Sequence, residues 1–108
     1  NQMGKDLFPR VDEYRILHDF NYMSVEKYKK QIIDLRARLD REKEAKKKDN
    51  EYYARCIKGA SSPSTKATYR KSKIDHAAAH DRNIESLKRS IESAKANLAR
   101  ERERAKKK

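Results

Sequence analysis

The chain has little of what compact sheet proteins and catalytic pockets are made from: two glycines, two prolines, one cysteine and no tryptophan in 108 residues. So few turn formers exclude a turn-rich all-β architecture. A lone cysteine, Cys56, excludes an internal disulfide. Set in the run Tyr-Tyr-Ala-Arg-Cys-Ile, it reads as a small buried apolar residue rather than a reactive or intermolecular thiol. No apolar run comes near the roughly 20 residues that a membrane-spanning helix needs. The opening NQMGKDLFPR also lacks the charged start and apolar stretch of a signal peptide. A cytoplasmic protein with no membrane partner is therefore expected. Apolar residues make up 35% of the chain against 43% charged, which is too few to bury a broad core.

What the chain does have is Lys, Arg, Glu and Ala, the composition of long helices and coiled coils. Low hydropathy would also suit a disordered chain, and periodicity separates the two. Val25, Tyr28, Ile32, Leu35 and Leu39 step by three and four, placing one apolar seam along a helix. The same count then meets Glu42, Lys46 and Asp49 before returning to apolar character at Tyr53, Cys56 and Ala60. In the second half Ile84, Leu87, Ile91, Ala94 and Leu98 repeat the stepping. Upstream of Ile84 the seam dissolves into Ala77, Ala78 and His80.

Between these halves lies IKGASSPSTKATY, residues 57 to 69, where Gly, Pro and small hydroxyl residues come together. Pro63 lacks an N–H and pushes Ser62 out of the helical region. Gly59 suits the left-handed residue after a helix end, and Ser64 or Thr65 suits the N-cap of the next helix. Folding the chain back there sets the weak middle of one half against the weak start of the other, and the apolar seams against each other. Lys46 and Asp49 then fall beside His76, Ala77 and Ala78, which predicts a loosely packed middle. The expected fold is an all-α antiparallel helical hairpin over 23–108 with its turn at 59–65. Its helices would be about 35 residues, from Ser24 to Lys58, and about 40 residues from Thr65 onward. Ile84, Leu87, Ile91 and Leu98 would face Val25, Tyr28, Ile32, Leu35, Leu39 and Tyr53. Such a seam is narrow, so association with a second copy is expected.

Residues 1–22 differ from the rest. They are slightly acidic, whereas the chain beyond them is strongly basic, and they are richer in large apolar side chains. This leader reads as a short helix opened by Pro9 and either separated from the long helix at Asn21 or Ser24 or absorbed into it. Phe8, Tyr14, Leu17 and Phe20 would cover part of the seam of their own hairpin or of a second chain. The string MSVEKYKK at 23–30 would serve equally as a native start.

The layout of a charged heptad helix, then CIKGASSPSTKATYRKSKI, then NIESLKRSIESAKANLARERERAKKK resembles a known arrangement. It is similar to the Lys-rich coiled-coil region that precedes the Toll/interleukin-1 receptor (TIR) domain in bacterial TIR proteins. The matching residues are Ser62, Pro63, Ser64 and Thr65, followed by Ser72, Lys73 and Ile74. The stretch from His76 to His80 departs from the pattern, and the leader is unmatched. The resemblance implies a part that gathers attached effector domains. The NAD-cleaving activity of that family belongs to the TIR domain itself, so no catalytic residue carries over.

Net charge of +12 and a pI near 9.9 favour contact with nucleic acid or anionic lipid at low salt. Lys46, Lys47, Lys48, Arg70, Lys71 and Lys73 are the candidate phosphate contacts, with Tyr52, Tyr53 and Tyr69 able to stack on bases. Acids interleave with the bases over most of the length, so a solvated helix face and tyrosines packed near the turn are the simpler reading. His76 and His80 have the i, i+4 spacing of paired metal ligands, which Asp75, Asp81 or His18 would have to complete. No Glu follows His76 as a metalloprotease motif requires, and ordinary part-exposed histidines fit better. A nucleophilic triad, a phosphate-binding glycine loop and a paired acid-base site are all absent. A non-catalytic interaction or oligomerisation module without metal or cofactor is expected, with a basic nucleic-acid-binding protein as the alternative.

Overall fold

The computed structural model describes the backbone from Gln2 to Lys106 and the side chains of residues 22–106. The chain is an all-α helical hairpin of two helices, α1 (Gln2–Gly59) and α2 (Pro63–Lys106), with no strand among the described residues. Their 58 and 44 residues contain almost no Gly or Pro, and Ala, Lys, Arg and Glu dominate, so little opposes helix propagation. Lys58 in the last turn of α1, and Arg104 and Lys106 in that of α2, lie where the helix dipole favours positive charge.

Several expected boundaries move. Of the two alternatives for the leader, absorption into the long helix holds: its backbone is the first part of α1, and Pro9 lies inside that helix rather than at its start. The contacts expected of Phe8, Tyr14, Leu17 and Phe20 lie outside the described side chains. The turn is shorter than 59–65, because Gly59 is the last residue of α1 and Pro63 the first of α2. No glycine has positive φ, so Gly59 is not the left-handed cap that the sequence suggests. Instead the amide of Ala60 donates to the carbonyl of Ile57 at 3.4 Å, a tightened last turn of the 3₁₀ kind.

The cap of α2 is Ser62, two or three places earlier than Ser64 or Thr65 would put it. Its hydroxyl oxygen accepts from the Thr65 amide at 3.2 Å, and its carbonyl accepts from the Lys66 amide at 3.1 Å. Those are the side-chain and main-chain bonds of an N-cap. The Ser62 hydroxyl also donates to Thr65 Oγ1 at 2.8 Å. Pro63 breaks nothing here. At the first helical position its missing N–H would have had no partner, and its fixed φ suits the helix.

Two compact units make up the chain, Asp34–Ile91 and Asn1–Ile33 with Glu92–Lys108. In the first, α1 runs up to the turn and α2 returns antiparallel, as the descending pairs Glu42 with Asn83, Asp49 with His80 and Tyr53 with His76 show. Leu35, Ile84 and Ile91 are its buried hydrophobic residues, while Leu39, Tyr53 and Leu87 are half-buried. In the second unit Ile32, Ala94 and Leu98 are buried, and Val25 and Tyr28 half-buried. Burying one Ile or Leu side chain stabilises by about 1.5–3 kcal/mol. With so few such residues, each one matters.

Candidate functional site

Where the heptad count turns polar, the Asp34–Ile91 unit is held by side-chain hydrogen bonds instead of apolar contact. Glu42 and Asp49 lie two turns apart on α1, and the ring of His80 on α2 enters between them. Its Nδ1 is 2.6 Å from Glu42 Oε1 and its Nε2 is 2.6 Å from Asp49 Oδ2. The His80 side chain is only 17% exposed. On either side the pattern continues across the helices. Asn83 Nδ2 donates to Glu42 Oε1 at 3.1 Å, Lys46 Nζ donates to Asp81 Oδ1 at 2.6 Å, and His76 lies 3.5 Å from Asp49 and 3.1 Å from the Tyr53 hydroxyl. The rings of Tyr53 and His76 are 5.1 Å apart, and Tyr52 meets Tyr53 edge-on at the same separation.

The electrostatics follow from this geometry. Hydrogen bonds to Asp49 and then Glu42 raise the pKa of His80 above its ordinary 6.5, against the opposing effect of burial. The bond from His80, reinforced by Asn83, lowers Glu42, and the bond from His80 likewise lowers Asp49. Near the turn the Tyr52 hydroxyl is pushed upward, chiefly by its bond with Cys56. Cys56 itself is half-buried, beside that ring.

Of the expected neighbours of Lys46 and Asp49, His76 stands beside Asp49, and further polar side chains join it. Asp49 meets His80 and His76, Lys46 meets Asp81, and Ala78 points away from the seam, exposed. His76 is 52% exposed and His80 17%, and both rings also bond across to α1. Among the described residues no three His, Cys, Asp or Glu side chains are grouped as a metal would require.

The candidate phosphate contacts divide. Lys46 is committed to Asp81 and Lys73 is half-buried, while Lys47, Lys48, Arg70 and Lys71 are exposed without a carboxylate partner among the described residues. An open groove is lined by Arg38, Arg41, Glu42, Asn83, Ser86 and Leu87, among others. Large apolar side chains are also exposed: Tyr22, Met23 and Ile33 in one unit, and Tyr52 and Ile74 in the other, at 52% to 68%. The stepping of the seam says nothing about these, because they lie off it. No described helix is long and apolar enough to cross a membrane.

Comparison with known proteins adds no relative: no family model, no curated protein and no solved structure matches the chain.

Proposed function

We propose that the chain is a non-catalytic interaction module that associates with further copies of itself. The observation that carries this reading is the contrast between a thin core and uncovered apolar side chains. Among the described residues six hydrophobic side chains are buried, while Tyr22, Met23, Ile33, Tyr52 and Ile74 remain more than half exposed. Exposed large apolar groups on a charged helix surface mark sites of protein association. A second hairpin offers the same kind of surface, and helical hairpins gain stability by pairing into bundles. The resemblance to the coiled-coil segment preceding TIR domains gives the proposal its concrete form, in which association gathers attached effector domains in the cytoplasm.

A second reading, nucleic-acid binding, draws on the exposed Lys47, Lys48, Arg70 and Lys71 and on the charge of +12. Light scattering at about 0.15 M salt, with and without duplex DNA, separates the two. A salt-resistant oligomer without DNA supports self-association. A single-chain mass together with DNA affinity that falls steeply with salt would transfer the function to nucleic acid.

A further inference from the structure

The contacts of His80 set a protonation requirement. Ionised carboxylates only accept hydrogen bonds, and a neutral imidazole has one N–H to donate. Both ring nitrogens of His80 nevertheless lie 2.6 Å from carboxylate oxygens, one of Glu42 and one of Asp49. Only the doubly protonated ring satisfies both at once, and distances this short are those of charge-assisted bonds. The neutral ring would turn a nitrogen lone pair toward one of the two carboxylates.

We propose that Glu42, His80 and Asp49 form a proton-operated clasp that holds α1 to α2 within the Asp34–Ile91 unit, closed when His80 carries its second proton and open when it does not.

The groups around His80 favour this device. From α1 it faces Glu42 and Asp49, both negative. Lys46, which lies between them in sequence and would oppose a charged ring, is drawn to Asp81 at 2.6 Å. From α2 its neighbours are His76, which approaches the Asp49 carboxylate at 3.5 Å and the Tyr53 hydroxyl at 3.1 Å, and Asp81, which is occupied by Lys46. Asn83 adds a neutral donor to Glu42. The balance facing the ring is therefore negative.

The direction of the pH response follows. The folded-state pKa of His80 is raised above 6.5, so its contribution is fully present below about 6.5 and is lost as pH rises through the raised value. Glu42 and Asp49 are lowered from 4.5 and 3.8, so theirs is present above those values and is lost as pH falls through the lowered ones. The clasp is closed between the two limits, and on the alkaline side it opens at His80. Self-association is not needed for any of this.

The test is an imidazole NMR titration of the full chain between about pH 4 and pH 9, with His80 assigned by its absence in His80→Gln and separated from its neighbour by His76→Gln. The titration midpoint of His80 is expected above 6.5, with both ring nitrogens protonated below it. Asp49→Asn and Glu42→Gln should each bring the midpoint back toward 6.5. In parallel, the unfolding temperature of the wild-type chain should fall as pH rises through that midpoint, by more than that of His80→Gln. A wild-type midpoint at or below 6.5 overturns the clasp, and so does a midpoint unmoved in both carboxylate variants. If His80→Gln does not fold, the wild-type and Asp49→Asn titrations, assigned through His76→Gln and His18→Gln, decide alone.

Discussion

At Gly59 and Ser62 single residues decide where one helix stops and the next begins. Gly59 is the final helical residue of α1, has ordinary negative φ, and would meet nothing within 4 Å if it carried a Cβ. It therefore confers the flexibility of glycine without using it. Gly59→Ala should stabilise the chain by about 0.4–1 kcal/mol through reduced freedom of the unfolded state, measurable as a raised denaturation midpoint. A left-handed Gly59 would give the opposite sign. Ser62 is the reverse case, because its hydroxyl caps the Thr65 amide. Ser62→Ala should cost about 1 kcal/mol, lowering the unfolding temperature by several degrees, whereas Ser64→Ala should cost less. Cap identity was not legible in the sequence because Ser61, Ser62, Ser64 and Thr65 all carry a suitable hydroxyl. What selects among them is Pro63, which fits the first turn of a helix better than any position before it.

At the scale of the helices, the three-four stepping of apolar residues was the strongest signal in the chain. Ile32, Leu35, Ile84, Ile91 and Leu98, all on that stepping, are buried, and Leu39 and Leu87 are half-buried. Leu35→Ala should cost about 2–5 kcal/mol, and the half-exposed Leu87→Ala should fall at or below the bottom of that range. Chemical denaturation of both variants measures the difference. Equal costs would mean that exposure does not rank the seam. Two features were not settled by apolar period. Continuity of α1 through the leader stayed one of two alternatives, because its aromatic composition and Pro9 suggest a break that the backbone does not make. The clasp was hidden because a period of apolar residues passes over polar ones. Its signal was nevertheless there: folding the chain back near residue 62 places His80 opposite the midpoint between Glu42 and Asp49, two carboxylates on one helix face. Reading polar partners in the same register as apolar ones would have found it.

For the whole molecule, the issue is what covers the apolar side chains that lie off the seam. The ion pairs Lys29 with Glu26, Lys88 with Glu85, Lys95 with Glu92, Arg104 with Glu101 and Lys106 with Glu103 are all within one helix, at i, i+3. They support helicity by a few tenths of a kcal/mol each and choose no partner. In the proposed self-association, partner choice would fall instead to exposed Ile33 and Ile74, with Tyr22, Met23 and Tyr52. Sedimentation equilibrium over a wide concentration range at about 0.15 M salt tests self-association most directly. The chain should show a mass at least double its own 12.8 kDa, and Ile33→Glu or Ile74→Glu should shift it toward the single chain with helicity unchanged. A mass of 12.8 kDa at every concentration, in wild type and variants alike, would contradict it.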